Sequence, residues 1–222
     1  MTDDLERAGV DQEWAHTFVV ESNLIDPQPG ENAPGSPIYD LHMQALLYVI
    51  HAGVNDCYAL PREVHKILLA DHPFAGVPRK QPIRLGFRRM LNPTRVPHFS
   101  WRWDADARER IGSLRTQRQH ATSVERQEEI WGLHCELMNI RPFELYNGRV
   151  GRLLMVNQAI LVGEEPWFVA SEGRPLYLDM IQTHPSVTWV DEPLYRPSAV
   201  CHSEWKAAEL PRLKSNHHPD AD

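Results

Sequence analysis

The chain has 222 residues, 42% of them hydrophobic and 24% charged, and a net charge of −7. That length suits one domain, or one domain with a small extension, whose core needs no staples. The acidic balance argues against wrapping an extended nucleic-acid backbone, and no apolar run approaches the roughly 18 residues that a bilayer span needs.

Three cysteines, Cys57, Cys135 and Cys201, form no C-x-x-C pair. A disulfide framework or zinc module is therefore not expected, and a reducing compartment fits best. Met1 to Gly9 is charged and has no apolar h-region, so a cytoplasmic location is expected. The expected division is a tail over 1–9, a domain over 10–185 and a partly disordered extension over 186–222.

Val10 to Ile25 reads as a helix with Trp14, Phe18 and Val19 on one side, ending before Asp26-Pro27. A Pro/Gly/Asn-rich loop follows to Pro37. Ile38 to Ala52 has the spacing of a buried helix: Leu41, Ala45, Leu46, Val49, Ile50. Pro61 opens another, carrying Val64, Ile67 and Leu68. Phe74 to Trp103 is rich in proline and arginine and predicts loop and a short hairpin, with strands near Ile83–Phe87 and Thr94–Phe99. Asp104 is expected to cap a helix to about Gln117. Thr122-x-x-Glu125 is a capping box for a helix with Ile130, Leu133, Leu137 and Ile140, which Pro142 stops. Arg149 to Val162 predicts a further helix ended by Gly163, and Arg174 to Thr183 another. The fold class is mainly α.

The informative stretch is Leu133 to Leu154. A helix stops at a proline, a short loop follows, and a second helix starts near Asn147-Gly148-Arg149. The first N–H groups of that helix lack helical partners, and its dipole favours an anion there. Gly148 permits close approach. Arg149 and Arg152 share one face of the first turn, and Arg141 enters from the preceding helix end. Such an arrangement binds phosphate groups. On the residues alone, these arginines serve equally well as partners of surface carboxylates.

The stretch resembles the Fic motif, H-P-F-x-[DE]-G-N-G-R-x-x-R. Pro142, Phe143, Asn147, Gly148, Arg149 and Arg152 match in register. Ser22 to Pro27 resembles the family's inhibitory motif, [ST]-x-x-x-E-[GN], with Asp26 in the glutamate position. The resemblance implies a compact helical core with a β-hairpin flap, on which Arg95, His98 and Phe99 would dock a protein segment. It implies a phosphate-bearing ligand, such as a nucleotide, on Asn147, Gly148, Arg149 and Arg152. It also implies regulation by Ser22 and Asp26, the latter reaching Arg152.

Three positions depart from the family pattern. Arg141 stands where a histidine base would be, and arginine cannot be a general base. Leu145 stands at the acidic position that helps hold Mg²⁺, and leucine cannot ligate it. Tyr146 replaces a glycine. Catalytic candidates are therefore Arg141, by neutralising charge, Tyr146, and His134 two turns before Arg141. Glu144 is one position off the metal site, and the twelve histidines include no H-x-x-x-H pair, so no metal ligands are expected. Three readings follow. One is a Fic-like transferase with non-standard chemistry. Another is an inactive relative that senses a ligand or binds a protein. The third is an enzyme of another class acting on a small anionic metabolite.

Overall fold

The computed structural model describes residues 5, 10–26, 34–53, 59–85 and 88–184, with backbone only at 85, 88 and 89. The extension expected over 186–222 lies outside the described residues, as does the tail over 1–9 apart from Leu5. Among the described residues no helix is long and apolar enough to cross a membrane.

Among the described residues from Gln12 on, seven α-helices follow in order: α1 Gln12–Ile25, α2 Pro37–His51, α3 Leu60–Leu69, α4 Val96–Thr116, α5 Ser123–Ile140, α6 Asn147–Val162 and α7 Arg174–Thr183. Several helix ends are fixed by local capping residues. Asp11 accepts the Trp14 N–H at 2.6 Å at the head of α1. Ser36 caps α2, with Pro37 in its first turn. The capping box of Thr122 and Glu125 is complete, satisfying two donors that the helix cannot. Gly163 ends α6 at φ 74°, a left-handed conformation that glycine adopts without a Cβ penalty.

Helices α5 and α6 form the centre. Helix α6 packs on α1, α2, α3, α4 and α5, while α7 lies against α5. Consequently α5 is buried on every side from Ile130 to Ile140, not on a single stripe. The pair approaches closely at Gly151, where a Cβ would come within 2.5 Å of Met138 Cε and 2.8 Å of His134 Cε1. The core adds Phe18, Leu46, Val64, Trp103, Ile111 and Trp131, and Trp103 Nε1 donates to Leu133 O at 2.8 Å.

Two expectations between α3 and α5 are corrected. The first predicted strand is present as Arg84–Leu85 (β1), paired antiparallel with Arg88–Arg89 (β2) in two rungs. Thr94–Phe99 is not a strand. Asn92 caps a 3₁₀ turn over Pro93–Arg95 through the Thr94 N–H, and α4 continues directly with Pro97 in its first turn. Arg95, His98 and Phe99 therefore belong to a helix start. Phe99 is buried there, with the Arg95 guanidinium over its ring at 4.8 Å. Because α4 starts at Val96, Asp104 lies inside the helix and caps nothing. Burial raises its carboxyl to about 8, against the opposing charge of Arg62.

One residue holds the segment before α4 onto the end of α5. Arg79, 1% exposed, donates from Nε to Arg141 O (2.7 Å), from Nη1 to Gln81 O (2.9 Å), and from Nη2 to Leu91 O and Ile140 O. A cation on the last carbonyls of a helix is favoured by the dipole and satisfies acceptors the helix leaves open. Replacing Arg79 with methionine strands these carbonyls. We expect a loss of about 3 kcal/mol, seen as a fall in Tm of about 6–12 °C for a chain of this size. Lys80→Met, at an exposed position, should shift stability by no more than about 0.5 kcal/mol. Equal melting of both variants would remove Arg79 from this role.

Candidate functional site

The loop 141–146 joins the two central helices and is tied at almost every residue. Arg141 leaves α5 in the left-handed region, φ 47°. Pro142 O accepts from Arg79 N at 2.8 Å. The Asn147 side chain bridges Phe143, accepting from its N–H at 2.9 Å and donating to its carbonyl at 2.8 Å. Both ends of that amide are thus committed to the loop. The Phe143 ring stacks on His65 at 3.9 Å between centroids. His65 Nδ1 accepts from Gly76 N at 2.9 Å, which leaves Nε2–H to donate to Leu145 O at 3.2 Å. Burial pulls the His65 pKa down to about 4, partly offset by the bond to Leu145.

This bracing sets the start of α6. Tyr146 takes φ 57°, a conformation that suits the glycine of the motif it resembles, and its ring lies 4.3 Å beneath the Arg149 guanidinium. Gly148 follows. A Cβ there would collide with Asp26 Oδ2 and stand 2.9 Å from Arg152 Nη1. A carboxylate oxygen therefore rests against the helix start, where the sequence pattern places an anion.

That carboxylate comes from the end of α1. Arg152, 2% exposed, donates from Nε to Ser22 Oγ (2.8 Å) and from Nη2 to Ser22 O (2.8 Å) and Asp26 Oδ2 (3.1 Å). Arg149, fully buried, donates from Nη2 to Asp26 O at 3.2 Å. The carboxylate itself keeps 46% of its side-chain exposure, so the ion pair opens to water on one side. Burial alone would raise the Asp26 pKa. The charges of Arg152, Arg141 and Arg149, with the Arg152 hydrogen bond, more than reverse this, and the net shift is downward. Helix α1 is further anchored by Arg174 Nε on Ile25 O (2.6 Å) and by Ser171 N on Glu21 Oε2 (2.6 Å).

Arg141, Gly148, Arg149, Arg152, Ser22 and Asp26 thus converge, with Tyr146 at the edge. His134 stands behind them. It is buried, and the Tyr177 hydroxyl, which accepts from Arg152 at 3.4 Å, lies 2.9 Å from its Nε2. Burial first, then the Arg152 charge, drives its pKa down to about 3, against a bond to the Gly151 backbone. Arg95, His98 and Phe99 lie at the head of α4. Arg79, His65 and Tyr177 escape a reading of the sequence because each sits in an ordinary loop or periodic run. No spacing marks them.

The acidic motif position implied by the resemblance would hold a hard divalent cation. Leu145 offers hydrocarbon there and is 42% exposed. Glu144 Oε1 is taken by the N–H groups of Lys80 and Gln81, both at 3.2 Å. Among the described residues, no three His, Cys, Asp or Glu side chains gather around one point. These residues do not fit Mg²⁺, which demands several oxygen ligands.

No family model matches the sequence, and no curated protein matches it. Solved structures do. A Fic domain containing signaling protein from Bacteroides thetaiotaomicron VPI-5482 is 20% identical with a TM-score of 0.60, over 82% of this chain and 76% of that one. Two chains of Fic-1 from C. elegans are each 18% identical, with TM-scores of 0.53 and 0.51, over 82% of this chain. The matches cover 58% and 57% of those chains, less than two thirds of their length. At these identities the likeness establishes the fold: the chain has the Fic fold.

The His65 bridge has a pH signature. Its folded pKa lies below the ordinary 6.5, so the native state binds fewer protons than the unfolded chain. Its contribution to stability is complete above pH 6.5 and is lost as pH falls toward 4. The stability gap between wild type and His65→Gln should therefore narrow below pH 6.5, by up to about 1.4 kcal/mol per pH unit. Urea unfolding of both proteins from pH 4 to pH 8 measures it. A constant gap would place the proton elsewhere.

Proposed function

We propose that this chain is a divergent member of the Fic family that binds a phosphate-bearing ligand at the start of α6, and that Asp26 competes with that ligand for the site. One observation carries the reading. A carboxylate oxygen lies against Gly148 at a helix N-terminus, held by Arg152, with Arg149 on the adjoining carbonyl. Carboxylate and phosphate oxygens answer to the same donors, so a site that holds one internally accepts the other from outside. The exposed flank of Asp26 gives the incoming anion a path, while the guanidinium of Arg152 stays in place on Ser22.

The reaction that the resemblance implies, AMP transfer through a histidine base, does not follow from these residues. Arg141 stays protonated and cannot accept a proton. His134 is enclosed, with Tyr177 against its Nε2. The favoured activity is ligand binding coupled to release of the end of α1. A transferase would need a base brought by the acceptor, with Arg141 and the α6 dipole stabilising charge on the phosphate. Docking of a protein segment near β1 and β2 remains part of the proposal by resemblance alone.

Calorimetry with ATP, a nucleotide sugar and inorganic phosphate, on wild type and Asp26→Ala, tests the reading. Removing the competing carboxylate should tighten binding of at least one of these by about tenfold, some 1.4 kcal/mol. Adding Arg149→Ala should abolish that gain. Absence of binding at millimolar ligand in both folded proteins would overturn the reading.

A further inference from the structure

We infer that Tyr146 is a positioning residue of the anion site: its ring sets where the Arg149 guanidinium stands at the start of α6. The inference rests on the anion-binding reading above and adds one residue to it.

Tyr146 precedes α6 in the left-handed region, at φ 57° and ψ 17°. Glycine takes that conformation freely, whereas a Cβ crowds the neighbouring carbonyl. A tyrosine held there carries a cost that glycine avoids. It returns nothing as a cap, since its side chain makes no capping hydrogen bond to the helix. Strain of this kind persists where the surroundings over-determine it, and it gathers where a side chain has a use. The use visible here is the ring, with the Arg149 guanidinium carbon 4.3 Å from its centroid.

The two residues are three apart, so they share one face of the first turn. The ring is itself braced. It is half-buried against the hydrophobic core. The carbonyl of Leu145, just before it, lies 3.2 Å from His65 Nε2, and its own carbonyl accepts from Val150 N at 3.0 Å. Position therefore passes from His65 through the loop to the ring, and from the ring to the guanidinium.

The two arginines of α6 are held by different means. Arg152 sits among oxygen acceptors: Ser22 Oγ and O, the Tyr177 hydroxyl and the Asp26 carboxylate. Those bonds occupy its N–H groups. A ring attracts a cation through the charge distribution of its π face and offers no lone pair. It holds Arg149 while leaving N–H groups for oxygen, and Nη2 donates to Asp26 O at 3.2 Å. Arg149 is fully buried, and desolvation strengthens the attraction to the ring. When an anion replaces Asp26, the bond to the Asp26 carbonyl is the one at risk. The ring contact lies within one turn of one helix and does not depend on α1. It keeps the guanidinium in place for a phosphate oxygen, which spares an ordering cost on binding.

Inorganic pyrophosphate is the probe, titrated calorimetrically into the Asp26→Ala chain, from which the competing carboxylate is gone. On that background Tyr146→Phe keeps the ring and should bind within about twofold of the parent. Tyr146→Leu keeps a Cβ and apolar bulk at the same strained position but has no π face, and should weaken binding about fivefold or more. Tyr146→Asn enters the left-handed region readily and also lacks a ring. It should weaken binding similarly, and it serves if the leucine variant fails to fold, which circular dichroism detects. Recovery by phenylalanine separates the ring from side-chain bulk and from the hydroxyl. A ringless variant that folds and binds like the parent, or a phenylalanine variant as weak as the ringless ones, would overturn the inference and leave the anion site standing. No binding to the folded Asp26→Ala parent would remove the anion-site reading and this inference with it.

Discussion

Arg152 is a guanidinium in the middle of a helical bundle, and the end of α1 is built around it. A buried cation needs acceptors on its N–H groups and a negative charge near by. Ser22 supplies two acceptors, the Tyr177 hydroxyl a third, and Asp26 the charge. Those partners come from opposite ends of the chain. The requirement to satisfy Arg152 therefore fixes α1 and α7 against the start of α6. On the proposed reading it also decides the state of the site, since the group that neutralises Arg152 then lies where an external anion would bind. The pairing is asymmetric: the arginine is sealed while the aspartate faces water on one side. Screening by that water limits what the ion pair contributes to stability. For the same reason the carboxylate is the replaceable partner.

The loop between α5 and α6 is the second constraint. A six-residue connection has few hydrogen bonds of its own, and this one borrows them from side chains around it. Arg79 holds its beginning, Asn147 its middle and His65 its end. Each of these side chains makes at least two hydrogen bonds to backbone groups. Asn147 thereby shapes the backbone that presents Gly148. The same ties explain how Tyr146 occupies a left-handed position: the loop on one side and the first turn of α6 on the other leave the backbone no alternative. The strain there is of order 1–2 kcal/mol, and the stacked Arg149 offsets part of it.

The sequence made the helices legible where their ends carry chemistry: Thr122 with Glu125, Pro37, Pro61 and Gly163 each mark a boundary the structure keeps. It misled at Thr94–Phe99, where short apolar stretches interrupted by arginine imitate a strand. Asn92 and Pro93 are the true signal there, a capped turn that feeds a helix. Asp104 imitates a cap inside α4 for the same reason: a residue type common at helix starts also occurs within helices. Periodicity showed one face of α5, because a central helix buries its polar residues too. Of the site, the arginines and Gly148 were readable from motif spacing, and the reach of Asp26 to Arg152 from the resemblance to the Fic family. Arg79, His65 and Tyr177 were not, since their roles depend on contacts between segments 25 to 80 residues apart, which no local pattern records.

The central claim is that Asp26 occupies the position of an external anion. A crystal structure of Asp26→Ala grown with pyrophosphate tests it most directly. The account predicts a phosphate oxygen within hydrogen-bond reach of Arg152 Nη2 and against Gly148, where the carboxylate oxygen lies now, with α1 otherwise unmoved at Ser22. Pyrophosphate bound elsewhere, with the start of α6 filled by water or by a shifted side chain, would contradict it.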